Sequence, residues 1–195
     1  MSSVIAELEA FGPSVRVPEL RDVRLTSRFR RLVDRPEVQR LRHVRQLGPT
    51  YLVYPGAMHT RFEHVLGTFG LMQRLLLSLL REPAFRDSAS EVDLLTALAA
   101  ALLHDVGHYP FAHSLEAIHR ASGQRPDTPR HENLAAKVIT GSLADTLESA
   151  LGVDPARVAR LITVPHAAQP TPLDSVLASS LSSGLDVDKM DYLER

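Results

Sequence analysis

The segment HDVGHYPFAH at 104–113 concentrates side chains that can do acid–base or metal chemistry. His104 and Asp105 are adjacent, so on a helix their side chains lie about 100° apart and can converge on one ion at the helix edge. His108 follows one turn after His104, on the same face. The apolar run that precedes this segment predicts a buried helix, at whose end a histidine and an aspartate are costly without a cation or hydrogen bonds. The spacing leaves two interpretations open: a metal site, or a capped helix end with an Asp–His pair at the surface.

The composition narrows the classes of protein and site. The chain has 195 residues, 9 histidines and no cysteine, which excludes disulfides, thiolate zinc sites, iron–sulfur clusters and a cysteine nucleophile. The 22 Lys+Arg and 23 Asp+Glu residues give a net charge of −1, which argues against a mainly electrostatic nucleic-acid binder, although a local basic patch stays open. Such a length fits one domain, or one domain with an appendage.

The N-terminus and the apolar runs predict a cytoplasmic protein without a membrane anchor. The first residues, MSSVIAELEAFG, contain acids and no basic residue, unlike a signal peptide. The longest apolar stretches, at 71–80 and 94–103, are too short to span a bilayer and fit buried helices.

Hydrophobic spacing predicts an all-α architecture with at most a small N-terminal β element, a strand or hairpin at 15–25. Helices are expected over 27–33, capped by Thr26 or Ser27, and over 36–48, 59–80, 90–106, 112–121, 131–140, 155–163, 170–183 and 186–195. Asp34 is the expected N-cap of the helix over 36–48, because a proline follows at position 36. An extended piece is expected at 51–57 and a polar loop at 81–90.

Two further segments carry candidate ligands that are unremarkable when considered alone. His64 lies in MHTRFEHVLG (58–67), where a surface or core histidine is the default interpretation. Asp188 is one of three acids in six residues of DVDKMDYLER (186–195), a composition that also suits the start of a solvated helix.

Taken together, the segments resemble a known family. QRLRHVRQLG (39–48), YPGAMHTRFEHVLG (54–67), HDVGHYPFAH (104–113), RHENLA (130–135) and DVDKMDYLER (186–195) are similar to motifs of the HD-domain metal-dependent phosphohydrolases. The order of the five blocks resembles the branch that hydrolyses deoxynucleoside triphosphates (dNTPs), which includes bacterial dGTPases. The resemblance implies an HD-domain helical bundle over 34–195, with 1–33 as an N-terminal extension of short strand and helix.

The resemblance implies one divalent ion held by His64, His104, Asp105 and Asp188. Asp188 is assigned because it directly precedes Lys189, as in the family motif, and Asp186 and Asp191 are then expected to be structural. Two neutral imidazoles and two carboxylates make a nearly neutral site around a divalent cation, and Mn, Fe, Mg, Ni and Zn all suit these ligand types.

The resemblance also implies residues on the substrate side of the metal. His108, His113 and His131 would line that side. His113, oriented by Glu116 one turn later, is the first choice for the acid that protonates the leaving oxygen, and His131 is the second. Arg61, Lys189 and Tyr192 resemble residues that hold the phosphates, and Gln46 resembles one that reaches the sugar.

Three functions from different classes follow from these observations. The first is hydrolysis of a dNTP to deoxynucleoside and triphosphate, by a homo-oligomer. The second is an HD phosphatase or phosphodiesterase acting on another nucleotide, such as a nucleoside monophosphate. The third is a non-catalytic metal-bearing regulatory or nucleic-acid-binding module. Because the family motif continues with an aspartate after position 195, we expect the domain to be truncated at its C-terminal side and its substrate pocket to need residues beyond it.

Overall fold

The computed structural model describes residues 14–17, 21–122, 130–163 and 171–194, and confirms the all-α class. Its β element is one antiparallel hairpin of β1 (Ser14–Val17) and β2 (Arg21–Arg24), in which Ser14 pairs with Arg24. This hairpin lies where the alternating pattern at 15–25 predicts it. Residues 18–20, between the two strands, lie outside the described part.

Helices make up most of the described chain. In chain order they are α1 (Ser27–Val33), α2 (Pro36–Gln39), α3 (Arg61–Leu79), α4 (Pro83–Ser88), α5 (Glu91–Leu103), α6 (Ala112–Ser122), α7 (His131–Thr140), α8 (Ala144–Thr146), α9 (Pro155–Thr163), α10 (Pro172–Leu181) and α11 (Val187–Glu194). Two 3-10 turns, Arg40–His43 and Gly48–Leu52, and one π turn, Leu147–Leu151, complete the set.

The two central helices, α3 and α5, each begin at a capping box. The Thr60 hydroxyl accepts from the Glu63 amide at 3.3 Å, and the Glu63 carboxylate accepts from the Thr60 amide at 2.6 Å. Ser90 and Asp93 make the same reciprocal pair at 3.3 and 2.7 Å. Each box satisfies amides that the first helical turn otherwise leaves without partners, so both helix starts are set locally.

The hydrophobic core lies around α5, which is buried on all sides from Leu94 to Leu103. Helix α3 packs against α5 and α11, and α9 packs against α7 and α5. The hairpin joins the same core, since Val23 lies against Gly70 of α3. The domain boundary expected at residue 34 stays a prediction. Among the described residues, the helices lack the combination of length and apolar character that crossing a membrane requires.

Two sequence predictions about local structure are wrong, and one region without a prediction holds further elements. The expected polar loop at 81–90 contains α4, which starts at Pro83 and is anchored by buried Phe85. The expected extended piece at 51–57 is instead the end of a 3-10 turn followed by further turns. Residues 141–151, for which no prediction is made, hold α8 and the π turn, which ends at Gly152 with a left-handed φ of 68°.

The helix expected from Pro36 onwards starts as predicted but is shorter, and its cap differs. Arg35, not Asp34, is the N-cap, and Asp34 instead caps the C-terminus of α1. A residue before proline is forced out of the helical region, and Arg35 is extended with a ψ of 139°. The α-helix ends at Gln39 and continues as the tighter 3-10 turn.

Candidate metal centre

His64 and His104 are brought together by the two central helices. His64 is the fourth residue of α3, and His104 directly follows the last residue of α5. Their Nε2 atoms lie 3.2 Å apart, and the two rings meet edge to face with centroids 5.1 Å apart. Asp105 adds a carboxylate, so that one ligand atom from each of these three residues lies within 4.8 Å of the others.

Asp188 reaches the same place from α11, which packs on α3. Its Oδ1 lies 2.9 Å from Nε2 of His64 and 3.7 Å from Nε2 of His104. Nε2 of His104 lies 3.6 Å from Oδ1 of Asp105. The structure therefore brings together all four ligands that the sequence resemblance implies.

The donor spacing fits a shared ion. Ligand atoms about 2.0–2.2 Å from one ion, at right or tetrahedral angles, stand about 2.8–3.6 Å apart. The distances of 2.9, 3.2 and 3.6 Å fall within this range, and that of 3.7 Å exceeds it slightly. Two imidazoles and two carboxylates form a nitrogen–oxygen donor set that suits first-row divalent metals and Mg²⁺.

Both rings are oriented from the side opposite the cluster. Nδ1 of His104 lies 2.9 Å from the carbonyl oxygen of Ala101, one turn earlier in α5. Nδ1 of His64 lies 2.7 Å from Oδ2 of Asp191 on α11. Each ring thus presents Nε2 to the cluster, the arrangement that a metal-ligating histidine requires.

Asp105 is buried among cationic and imidazole groups. Arg61, itself buried, donates from a terminal guanidinium nitrogen to its Oδ2 at 2.6 Å, and Nδ1 of His108 lies 3.0 Å from its Oδ1. Burial by itself raises the pKa of Asp105, but the neighbouring imidazoles of His104 and His108 and the Arg61 guanidinium outweigh burial and hold that pKa well below its usual value. This carboxylate is therefore ionised across the neutral range.

The rest of the cluster favours positive charge. Burial by itself lowers the pKa of His64, but the carboxylates of Asp188 and Asp191 outweigh it and raise that pKa to about 9. Burial opposes ionisation of Asp188 too, yet hydrogen bonding to His64 and the charge of His104 lower the pKa of this aspartate. The carboxylates that stabilise a positive charge on His64 would also stabilise a divalent cation at the same place.

His108 and His131 lie side by side next to the cluster, with ring centroids 3.9 Å apart. Burial lowers the pKa of His108 to about 4, and the charges of Arg61 and His131 add to this against the opposing pull of Asp105. The turn that carries His108 is held from outside by Arg40, which donates to the carbonyl oxygens of Val106 and His108.

Gly107 lets α7 approach this turn. A Cβ atom at this position would stand 2.0 Å from the carbonyl oxygen of His131 and 2.3 Å from the amide of Ala135. Only a glycine therefore permits the backbone contact that places His131 against His108.

A cavity of about 190 Å³ opens beside the cluster. Its lining consists of Arg45, Gln46, Leu47, Gly48, Arg61, Tyr109, Phe111, Ala112 and Ser114. Within the described part of the chain, Oε1 of Gln46 and Nε of Arg61 are buried without a hydrogen-bond partner. Phe111 has a left-handed φ of 63°, a strained conformation for a residue with a side chain. Gln46 and Arg61 both line the cavity, and unpartnered buried polar atoms next to a strained backbone are typical of a ligand site.

Lys189 and Tyr192, which are predicted phosphate contacts, share α11 with Asp188. Lys189 donates to the Asp186 carboxylate at 2.6 Å and to the Ser183 carbonyl at 2.5 Å, at the N-terminus of α11. Tyr192 is 52% exposed on the same helix. His113 and Glu116 belong to α6, but their side chains lie outside the described part of the structure.

Asp191 is the contact that sequence reasoning missed, because it was expected to be only structural. The available signal was its position three residues after Asp188, which puts both carboxylates on one face of α11. Which histidine that face meets could not be read from the sequence.

Known proteins match this chain over most of its length. Residues 61–195 match the family described as HD domain. The Uncharacterized protein YwfO of Bacillus subtilis is 36% identical over 167 residues, covering 84% of this chain and 34% of the relative. The deoxynucleoside triphosphate triphosphohydrolase SAMHD1 of Gallus gallus is 31% identical over 186 residues, covering 85% of this chain and 30% of the relative. The chain thus spans about a third of the length of the curated relatives it matches.

Proposed function

Because the chain belongs to the HD domain family, we propose that it is a metal-dependent phosphohydrolase that converts a dNTP into deoxynucleoside and triphosphate. The observation that carries this proposal is the cluster of His64, His104, Asp105 and Asp188, which is joined to a cavity through Arg61, the partner of Asp105. The substrate class is supported by the relatives named deoxynucleoside triphosphate triphosphohydrolase, which share about a third of their aligned residues with this chain.

The four clustered side chains are the proposed metal ligands. A bound divalent ion (Mn, Fe, Mg, Ni or Zn) supplies an activated water and polarises the phosphoryl group. The protein's own contribution is to direct both Nε2 atoms at the ion, and to keep Asp105 ionised through Arg61.

Arg61 and Gln46 are proposed to bind the substrate in the cavity. Arg61 uses one guanidinium nitrogen for Asp105, which leaves its buried Nε–H for a phosphate oxygen. The buried Gln46 oxygen can accept a hydrogen bond from a sugar hydroxyl. Lys189 and Tyr192 are proposed to complete the phosphate contacts, for which Lys189 must exchange its bonds to Asp186 and Ser183 for a phosphate.

Breaking the P–O5′ bond requires a proton for the departing O5′, while the attacking water supplies the new oxygen on phosphorus and releases a proton. We assign the proton donor to His113 supported by Glu116, with His131 as the alternative and His108 lining the same side. A His113→Gln variant should then lose more kcat than a His131→Gln variant, with little change in metal content in either.

The resemblance also supports a homo-oligomer as the working form. Light scattering coupled to size exclusion measures the molar mass directly. A mass that stays at one chain of 21.5 kDa over a wide concentration range contradicts this part of the proposal.

The decisive experiment is a nucleotide panel with product identification, run with Mn²⁺ or Mg²⁺ on this chain and on any longer form. The proposal expects tripolyphosphate and deoxynucleoside in equal amounts from dNTPs, and no turnover by a His104→Gln variant. Orthophosphate released only from a nucleoside monophosphate would support the phosphatase alternative. Metal-loaded protein that turns over no nucleotide but binds single strands with a steep salt dependence would support the non-catalytic alternative.

A further inference from the structure

His64 is held by two carboxylates of one helix, one at each ring nitrogen. Asp188 Oδ1 lies 2.9 Å from Nε2, and Asp191 Oδ2 lies 2.7 Å from Nδ1. Residues three apart in a helix project from the same face, so α11 can present both carboxylates to a single ring. The imidazole of His64 therefore lies between Asp188 on the side of the cluster and Asp191 on the opposite side.

The two carboxylates differ in their surroundings. Asp191 is completely buried, whereas the side chain of Asp188 is 42% exposed. Burying a carboxylate is costly unless it is hydrogen-bonded. An ionised carboxylate accepts hydrogen bonds and donates none, so the bond at 2.7 Å requires a proton on Nδ1 of His64.

From this geometry we infer that Asp191 is a positioning residue for the proposed metal centre, which holds His64 in the tautomer that carries its proton on Nδ1. The ion is proposed to bind where Nε2 faces Asp188 and His104, in exchange for the proton that Nε2 donates to Asp188, while the proton on Nδ1 stays with Asp191. This inference rests on the proposed function, because the tautomer matters only if a metal is bound.

The partner of His104 provides an internal contrast. Its Nδ1 faces the neutral carbonyl oxygen of Ala101, which belongs to the same helix. Nδ1 of His64 faces a charged group that is 127 residues away in the chain. A carboxylate acceptor makes the imidazole a more basic ligand than a carbonyl does, so His64 is expected to be the stronger donor of the pair. Its strength then depends on the docking of α11 onto α3.

The test compares the Mn²⁺ affinity of the wild-type chain, Asp191→Asn and a control, Asp186→Asn, by calorimetric titration. Asp191→Asn keeps the shape and removes the charge, and should weaken Mn²⁺ binding by about 10–100-fold. Asp186 is also buried at the start of α11, but it accepts from the amides of Ser183 and Lys189 instead of from a histidine ring. The control should therefore bind Mn²⁺ much more tightly than Asp191→Asn, with both variants checked for folding by circular dichroism.

A second readout needs no substitution at Asp191. In the ¹⁵N NMR spectrum of the zinc-loaded wild-type chain, the His64 ring should carry its proton on Nδ1, and its signals are identified by their loss in His64→Gln. A proton on Nε2 would overturn the inference even if the aspartate variant were unstable.

The outcomes separate this inference from the proposed function. Wild-type Mn²⁺ affinity in Asp191→Asn, or an equal loss in Asp186→Asn, overturns the positioning role and leaves the phosphohydrolase proposal intact. A wild-type chain that binds none of the candidate ions overturns both.

Discussion

The two halves of the candidate site are held in different ways. The buried cluster of His64, His104 and Asp105 lies on or next to the core helices α3 and α5 and is at most 10% exposed. The exposed rim of Lys189 and Tyr192 lies on α11, where both residues are about half exposed. The three cluster side chains are therefore fixed by the close packing of the core. The rim side chains can change partners at a small cost in free energy. Changes in the cluster should affect metal binding, and changes at the rim should affect only the substrate.

The largest effect is expected for His104→Ala. Removing one imidazole leaves three donors, one of them partly exposed, so metal content after gel filtration should fall to background. Elemental analysis measures this directly.

Asp105→Ala should also lower metal content to background, and should destabilise the fold by roughly 3–5 kcal/mol because it leaves buried Arg61 unpaired. His43→Ala is the matched control, since His43 is exposed outside the cluster. Wild-type metal content in both cluster variants would refute the ligand assignment.

A large loss of stability is expected for Gly107→Ala. The added Cβ would overlap the backbone of α7, so the turn and α7 must separate, at a cost of about 3 kcal/mol or more. For a chain of this size that corresponds to a fall in Tm of roughly 6–12 °C. Gly56→Ala is the control, because a Cβ there meets nothing within 4 Å. Equal Tm values for the two variants would show that the contact between the turn and α7 is not tight.

The smallest effect is expected for Lys189→Ala. The Lys189 side chain is half exposed, and the buried Asp186 carboxylate keeps the amides of Ser183 and Lys189, so the substitution should change stability by about 1 kcal/mol and leave metal content unchanged. If Lys189 holds a phosphate, KM for the dNTP should rise several-fold more than kcat falls. A loss of metal in this variant would break the distinction between the cluster and the rim.

Much of the local structure could be predicted from the sequence. The serine at position 90 and the apolar spacing of α3 and α5 predict the elements that carry His64 and His104. These signals act within a few residues, so no knowledge of the fold is needed. The same locality explains the misplaced cap at Asp34, where the restriction before Pro36 outweighed the preference of aspartate for N-caps.

Long-range contacts could not be predicted in the same way. The polar composition of 81–90 predicts a loop, although α4 forms there. This helix is stabilised by the packing of its buried residue, Phe85, into the core, which the local sequence does not indicate. Similarly, nothing near Asp191 in the chain indicates that it lies 2.7 Å from a ring nitrogen of His64. The roles of Gln46, His113, Glu116 and Tyr192 stay predictions.

The sequence by itself determined the helical class, the starts of the central helices and the residue types available for a metal, because these depend on local spacing and donor chemistry. The tertiary structure alone decided which nitrogen of each histidine faces the cluster and that Lys189 is paired with Asp186. It also decided that α7 contacts Gly107 at its backbone. These features depend on how α3, α5, α7 and α11 pack, and packing is set by the whole core at once.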